Sequence, residues 1–93
     1  MSSKAKWFKI GERAVGGIIE VIVDKGEQDV TVRALDWDSK QPLGVGYDES
    51  TDDLGCLERI LWDWTDSYHA EEILIWVAKN GFNEASEHFI YGR

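Results

Sequence analysis

Residues 43–64 read LGVGYDESTDDLGCLERILWDW. The spacing of apolar residues changes inside this stretch. Leu43, Val45 and Tyr47 alternate with Gly44 and Gly46, which predicts a short strand. Two glycines on one face of it imply close approach by another element. From Leu54 the pattern is helical: Leu54, Leu57, Leu61, Trp64 and Tyr68 fall on one stripe. Ser50, Thr51 or Asp52 stands where an N-cap belongs, and Asp52 and Asp53 suit the positive end of a helix dipole. The change near Asp48 divides the chain into a strand-forming half and a helix-forming half.

Toward the N-terminus, three more strands are expected. Phe8 and Ile10 alternate with Trp7 and Lys9 in a short first one. Residues 11–17 are glycine-rich and read as a turn. In Ile18–Asp24, Ile19, Val21 and Val23 form one apolar face, with Glu20 and Asp24 on the other. Lys25–Gln28 reads as a hairpin connection to the strand Asp29–Trp37, and Asp38–Pro42 as a turn. Sequential hairpins imply an antiparallel meander of three to five strands across residues 6–47. Toward the C-terminus, Thr65–Ser67 breaks the helix, and Ser67 can cap a second one over residues 68–80. Ala70, Ile73, Trp76 and Val77 share its inner face. Asn80-Gly81 ends it, with Phe82 folding back, because glycine readily takes the left-handed conformation past a C-cap. A turn of helix from Asn83 and a strand at Phe89–Tyr91 follow. The expectation is a single acidic α+β domain over residues 1–93, with two main helices packed on one face of an antiparallel sheet.

Ninety-three residues make one domain, long enough to bury one core without staples. The only cysteine, Cys56, cannot form an internal disulfide, so nothing marks an oxidising compartment. The N-terminus has no apolar run of a secretory signal, and the longest apolar run, Ile73–Ala78, is far too short to span a bilayer. A cytoplasmic location, in a host cytoplasm if the chain is phage-encoded, is the default expectation. The net charge of −8 is uneven. Residues 1–46 carry seven acids and seven bases, whereas residues 47–93 carry eleven acids and three bases, so the second half holds the whole −8. Such a field repels nucleic acid and anionic membrane and attracts basic protein surfaces.

No complete chemical motif is present. Residues 11–17 (GERAVGG) lack the lysine and the Ser/Thr of a phosphate loop. Counting a calcium loop from Asp48 puts Asp53 where glycine is required and Arg59 where glutamate is required; from Asp36 those places fall to Gln41 and Tyr47. Cys56, His69 and His88 have no metal-ligand pair spacing. Helical angles put Cys56 off the apolar stripe, as a partly exposed thiol. His69, at a helix start, reads as a surface or cap residue. No catalytic residue, metal or cofactor is therefore expected.

Five tryptophans are many for this length. Trp64 and Trp76 fit a core. Trp62 lies about 160° round the helix from Trp64, among charges, and Trp37 sits on the less apolar face of its strand. Exposed tryptophans beside acids suit an interface anchor. Asp48, Glu49, Asp52, Asp53, Asp63, Asp66, Trp62 and Trp37 are the candidate partner-binding residues. Asp63 and Asp66 are three apart, a spacing that places helical carboxylates about 5–6 Å from each other, comparable to phosphates. Carboxylates can satisfy the Lys and Arg that a nucleic-acid-binding site presents.

In size and charge the chain resembles the class of small phage-encoded inhibitors of host nucleic-acid enzymes, the antirestriction and anti-CRISPR proteins. Residues 47–52 (YDESTD) are similar to a segment of the phage inhibitors of uracil-DNA glycosylase. Those inhibitors place helices before the sheet and this chain reads in the opposite order, so no residue role is carried across. The resemblance implies an acidic protein, a nucleic-acid mimic in the loose sense, that occupies a basic surface of a partner. Two other readings stay open: an interaction domain with a merely solvated acidic face, and a small enzyme whose site assembles from distant residues.

Overall fold

The computed structural model describes residues 3–24 and 26–80. Four strands, β1 (Ser3–Lys9), β2 (Gly17–Asp24), β3 (Asp29–Asp36) and β4 (Asp48–Thr51), pair in sequence order as an antiparallel meander. Two helices follow, α1 (Leu54–Trp64) and α2 (Ser67–Asn80). This is the expected α+β architecture. The expected features of residues 81–93, including the glycine stop, Phe82 and the strand at Phe89–Tyr91, lie outside the described residues.

The helices cover one face of the sheet because the strand pattern supplies one apolar face. In register, Phe8 stands opposite Ile19 and Ile19 opposite Ala34, while Val21 pairs with Val32 and Val23 with Val30. These residues join Leu54, Leu57, Leu61, Trp64, Ala70, Ile73, Leu74 and Val77 in one core. Trp76 sits at the core's margin, its ring edge-on to Phe8 at 5.9 Å. The opposite face of the sheet carries a cross-strand row of side chains. Trp7 Nε1 donates to Glu20 at 3.0 Å; Arg33 donates to Glu20 at 3.2 Å and to Asp48 at 3.1 Å. Paired acids hold the Arg33 guanidinium above its ordinary pKa, Asp48 first and Glu20 second. Farther along that face Ile18 is fully buried although it points away from the helices. Trp37 lies beside it, the two lining one small hollow with Lys9 and Lys40. Backbone pairing continues past β3, with Trp37 N donating to Gly16 O at 2.8 Å. Gly17, at φ +105°, leaves no side chain under the indole; a Cβ there would stand 3.1 Å from Trp37.

Several expectations need correction. Residues 43–47 are not a strand: Leu43 N bonds Ala34 O, Pro42 makes one isolated bridge to Leu35, and Val45–Tyr47 is a 3-10 turn. Gly44, at φ +140°, breaks the extended path. A side chain at Gly44 or Gly46 would meet nothing within 4 Å, so neither marks a close approach. The fourth strand falls instead on Asp48–Thr51, where the entry to the first helix was expected. Cross-strand polar pairs hold it to β3: Arg33 with Asp48, and Thr31 Oγ1 with Ser50 Oγ at 2.8 Å. Asp53 caps α1, rather than Ser50, Thr51 or Asp52; its carboxylate accepts from Gly55 N at 2.9 Å. Asp66, not Ser67, caps α2, accepting from His69 N at 3.0 Å. Tyr68 leaves the apolar stripe and is 70% exposed, because the chain turns at Thr65–Asp66 and restarts the helical phase.

Candidate interaction surface

The acids that looked alike in sequence divide by what they touch. Asp66 is part of the framework. Besides capping α2 it accepts from Arg13 at 2.8 Å and lies 2.7 Å from His69 Nδ1. Its carboxyl is held far below the usual range, first by the His69 backbone N–H, then by Arg13 and the His69 ring. The loop carrying Arg13 is thereby latched to the start of α2. Thr65 adds to the latch by donating its hydroxyl to Arg13 O at 2.7 Å. Asp66 therefore does not form a free pair with Asp63, since α1 ends at Trp64 and the Asp66 carboxylate turns to internal donors. Asp48 is held by Arg33, and Asp53 is a cap. Glu49, Asp52 and Asp63 are exposed and carry no internal partner among the described residues.

Helix α1 has two open flanks. Toward β4, a groove of about 370 Å³ is lined by Glu49, Ser50 and Thr51 on one side and by Cys56, Arg59, Ile60 and Asp63 on the other. Cys56 is exposed there, its Sγ 3.6 Å from the Asp53 carboxylate. Toward α2, a cleft of about 260 Å³ is lined by Glu58, Trp62, Ser67, Tyr68, Glu71 and Leu74. Trp62 is 58% exposed, as its helical angle implied. Trp37 is exposed as well, but the structure does not bring it to this cleft. It walls a separate apolar hollow of about 430 Å³ with Glu12 and the glycines at 11, 16 and 17.

Tyr68 and the cleft between the helices escaped sequence reading. A signal existed, since Tyr68 and Glu71 are three apart and Glu58 and Trp62 are four apart, but facing them requires the angle between two helices. His69 does not line the groove that holds Cys56. His88 lies outside the described residues. Among the described residues no group of three or more His, Cys, Asp or Glu side chains is placed to hold a metal ion, and no helix is long and apolar enough to cross a membrane. Comparison with known proteins finds no matching family model and no match among curated proteins or solved structures.

Proposed function

We propose that this domain is a protein-binding module that docks on a basic surface of another protein, the phosphate-holding surface of a nucleic-acid-processing enzyme or complex, and inhibits it by occupying that surface. The observation that carries this reading is the exposed Trp62, set with Tyr68 in a cleft edged by Glu58 and Glu71. A large amphipathic ring ringed by charge has the makeup of an interface anchor. Exposed Glu49, Asp52 and Asp63 on the neighbouring flank supply acids for Lys and Arg of the partner. They steer association and make it salt-dependent.

The test is capture from cell lysate with the intact domain, at low and moderate salt, beside a triple variant Glu49→Lys, Asp52→Lys, Asp63→Lys. None of these three acids has a bonding partner among the described residues, and only Asp52 faces the positive end of α1, so the variant is expected to lose no more than about 1 kcal/mol of stability. A protein retained by the wild type, retained less at moderate salt, and released by the variant supports the reading. Equal retention by a correctly folded variant makes the acidic flank a solvated surface and refutes it.

A further inference from the structure

The two edges of the sheet are built differently. At the β1 edge, Lys4 and Lys6 stand opposite Val23 and Val21, so two lysines lie on the helix side of the edge strand. Inward-facing charge of this kind blunts an edge against further pairing. The β4 edge has neither lysine nor proline, and its outer side is unpaired among the described residues. Its side chains are acids and hydroxyls. Alongside it runs the β4–α1 groove, with an apolar floor at Ile60 and a carboxylate on each wall, Glu49 from β4 and Asp63 from α1. The chain leaves α2 at the other edge, where Lys4 Nζ donates to Asn80 at 3.3 Å.

We propose that β4 receives an extended basic segment of the partner protein as a fifth strand. An exposed strand edge offers unpaired N–H and C=O groups, and a pocket beside it reads alternate side chains. In the register of the sheet, Glu49 and Thr51 point to the helix side and Asp48 and Ser50 to the open face. Every second side chain of an added strand therefore enters the groove. A lysine or arginine there lays its methylenes on Ile60 and Cys56 and brings its charge to Glu49 and Asp63. Arg59 lines the same groove and opposes such a cation. An acidic segment, including β4 of a second copy, is repelled. This inference rests on the preceding one only in taking the partner to be basic.

The probe is the acetylated, amidated hexapeptide Arg-Thr-Arg-Val-Arg-Thr, compared with the same peptide N-methylated at alternate residues, made in both alternations because only one set of N–H groups faces β4. N-methylation keeps the charge and removes the donors. Binding to the whole chain is followed by calorimetry, and hydrogen exchange of the β4 amides is followed with and without peptide. The expected results are slowed exchange in β4, affinity about ten-fold weaker for one of the two N-methylated forms from the loss of two backbone bonds, weaker binding to Glu49→Gln/Asp63→Asn, and tighter binding to Arg59→Ala. Equal affinity of the unmethylated peptide and both methylated forms means adsorption to an acidic surface and overturns strand addition, leaving the docking proposal intact. No peptide binding has the same consequence if partner capture still responds to the acidic triple variant. Self-association of the protein in sedimentation, abolished by Lys4→Glu/Lys6→Glu, would assign the edge to β1 of a second copy and also overturn it.

Discussion

Leu61 and Trp62 are neighbours on α1 and should behave as opposites. Leu61 is fully buried in the core, whereas Trp62 is 58% exposed. Leu61→Ala removes buried methyl groups and leaves a cavity, a loss of about 2–5 kcal/mol of stability. Trp62→Ala removes a ring that keeps about 105 Å² of its roughly 250 Å² against the fold, worth at most about 2.6 kcal/mol, and puts a better helix former in its place, so stability should fall by only about 1–2 kcal/mol. Binding should reverse the order. An indole offers roughly 250 Å² of surface. With 58% of it exposed, about 145 Å² remains for a partner to cover. At 25 cal/mol per Å² that area corresponds to at most about 3.6 kcal/mol. A truncation cost of about 2–3 kcal/mol is expected, a 30- to 150-fold loss of affinity. Urea melts of both variants and titration against the captured partner measure the two quantities separately. If Trp62→Ala costs as much stability as Leu61→Ala, the ring is part of the fold. If the folded variant binds the partner undiminished, the ring is not an anchor and the proposed docking mode is wrong.

Asp66→Asn should flatten the acid limb of stability. The folded-state pKa of Asp66 is depressed below the ordinary 3.8, so its contribution is complete above that value and is lost as the pH falls toward the folded one. The gap between wild type and variant, measured by melting, should be widest near neutrality and narrow below pH 4; a gap constant from pH 7 to 3 would refute the latch. Gly16→Ala should destabilise by about 2 kcal/mol or more, since its φ of +74° favours glycine and a Cβ would stand 2.5 Å from Leu35 O. Gly46→Ala, with open space around it, should melt within about 0.5 kcal/mol of wild type.

The strands and helices that read clearly from sequence are those whose burial is periodic. Ile19, Val21 and Val23 alternate because one face of β2 packs on helices, and Leu54, Leu57, Leu61 and Trp64 repeat because one stripe of α1 packs on the sheet. Strand β4 has no such signature. Its residues are held by Arg33 and Thr31, separated in sequence by 15 and 19 positions, and no local pattern encodes those partners. The run from Leu43 to Tyr47 misled for the converse reason: it alternates, but Val45 is 93% exposed and nothing packs on it. The outward set of Trp62 followed from helix angles alone. The groove around Cys56 did not, because one of its walls is β4.

Charge count alone overstates the acidic surface. Residues 47–80 hold nine acids against two bases. Asp48, Asp53 and Asp66 are committed to Arg33, to the α1 cap and to the α2 latch. Glu58 and Glu71 have interactions of their own. Glu49, Asp52, Asp63 and Glu72 remain, each exposed. Rim charges contribute under about 1 kcal/mol apiece, whereas micromolar affinity requires about 8 kcal/mol after the cost of association. Four such charges can set the rate and the salt dependence of docking, but they cannot hold a partner. In the proposed docking mode the holding energy comes from apolar cover and backbone pairing, supplied by Trp62 with Tyr68 on one flank of α1 and by the β4 edge on the other. The docking proposal therefore depends on the ring more than on the acids. Neutralising Glu49 and Asp63 should slow association and weaken its salt dependence, while Trp62→Ala should speed dissociation.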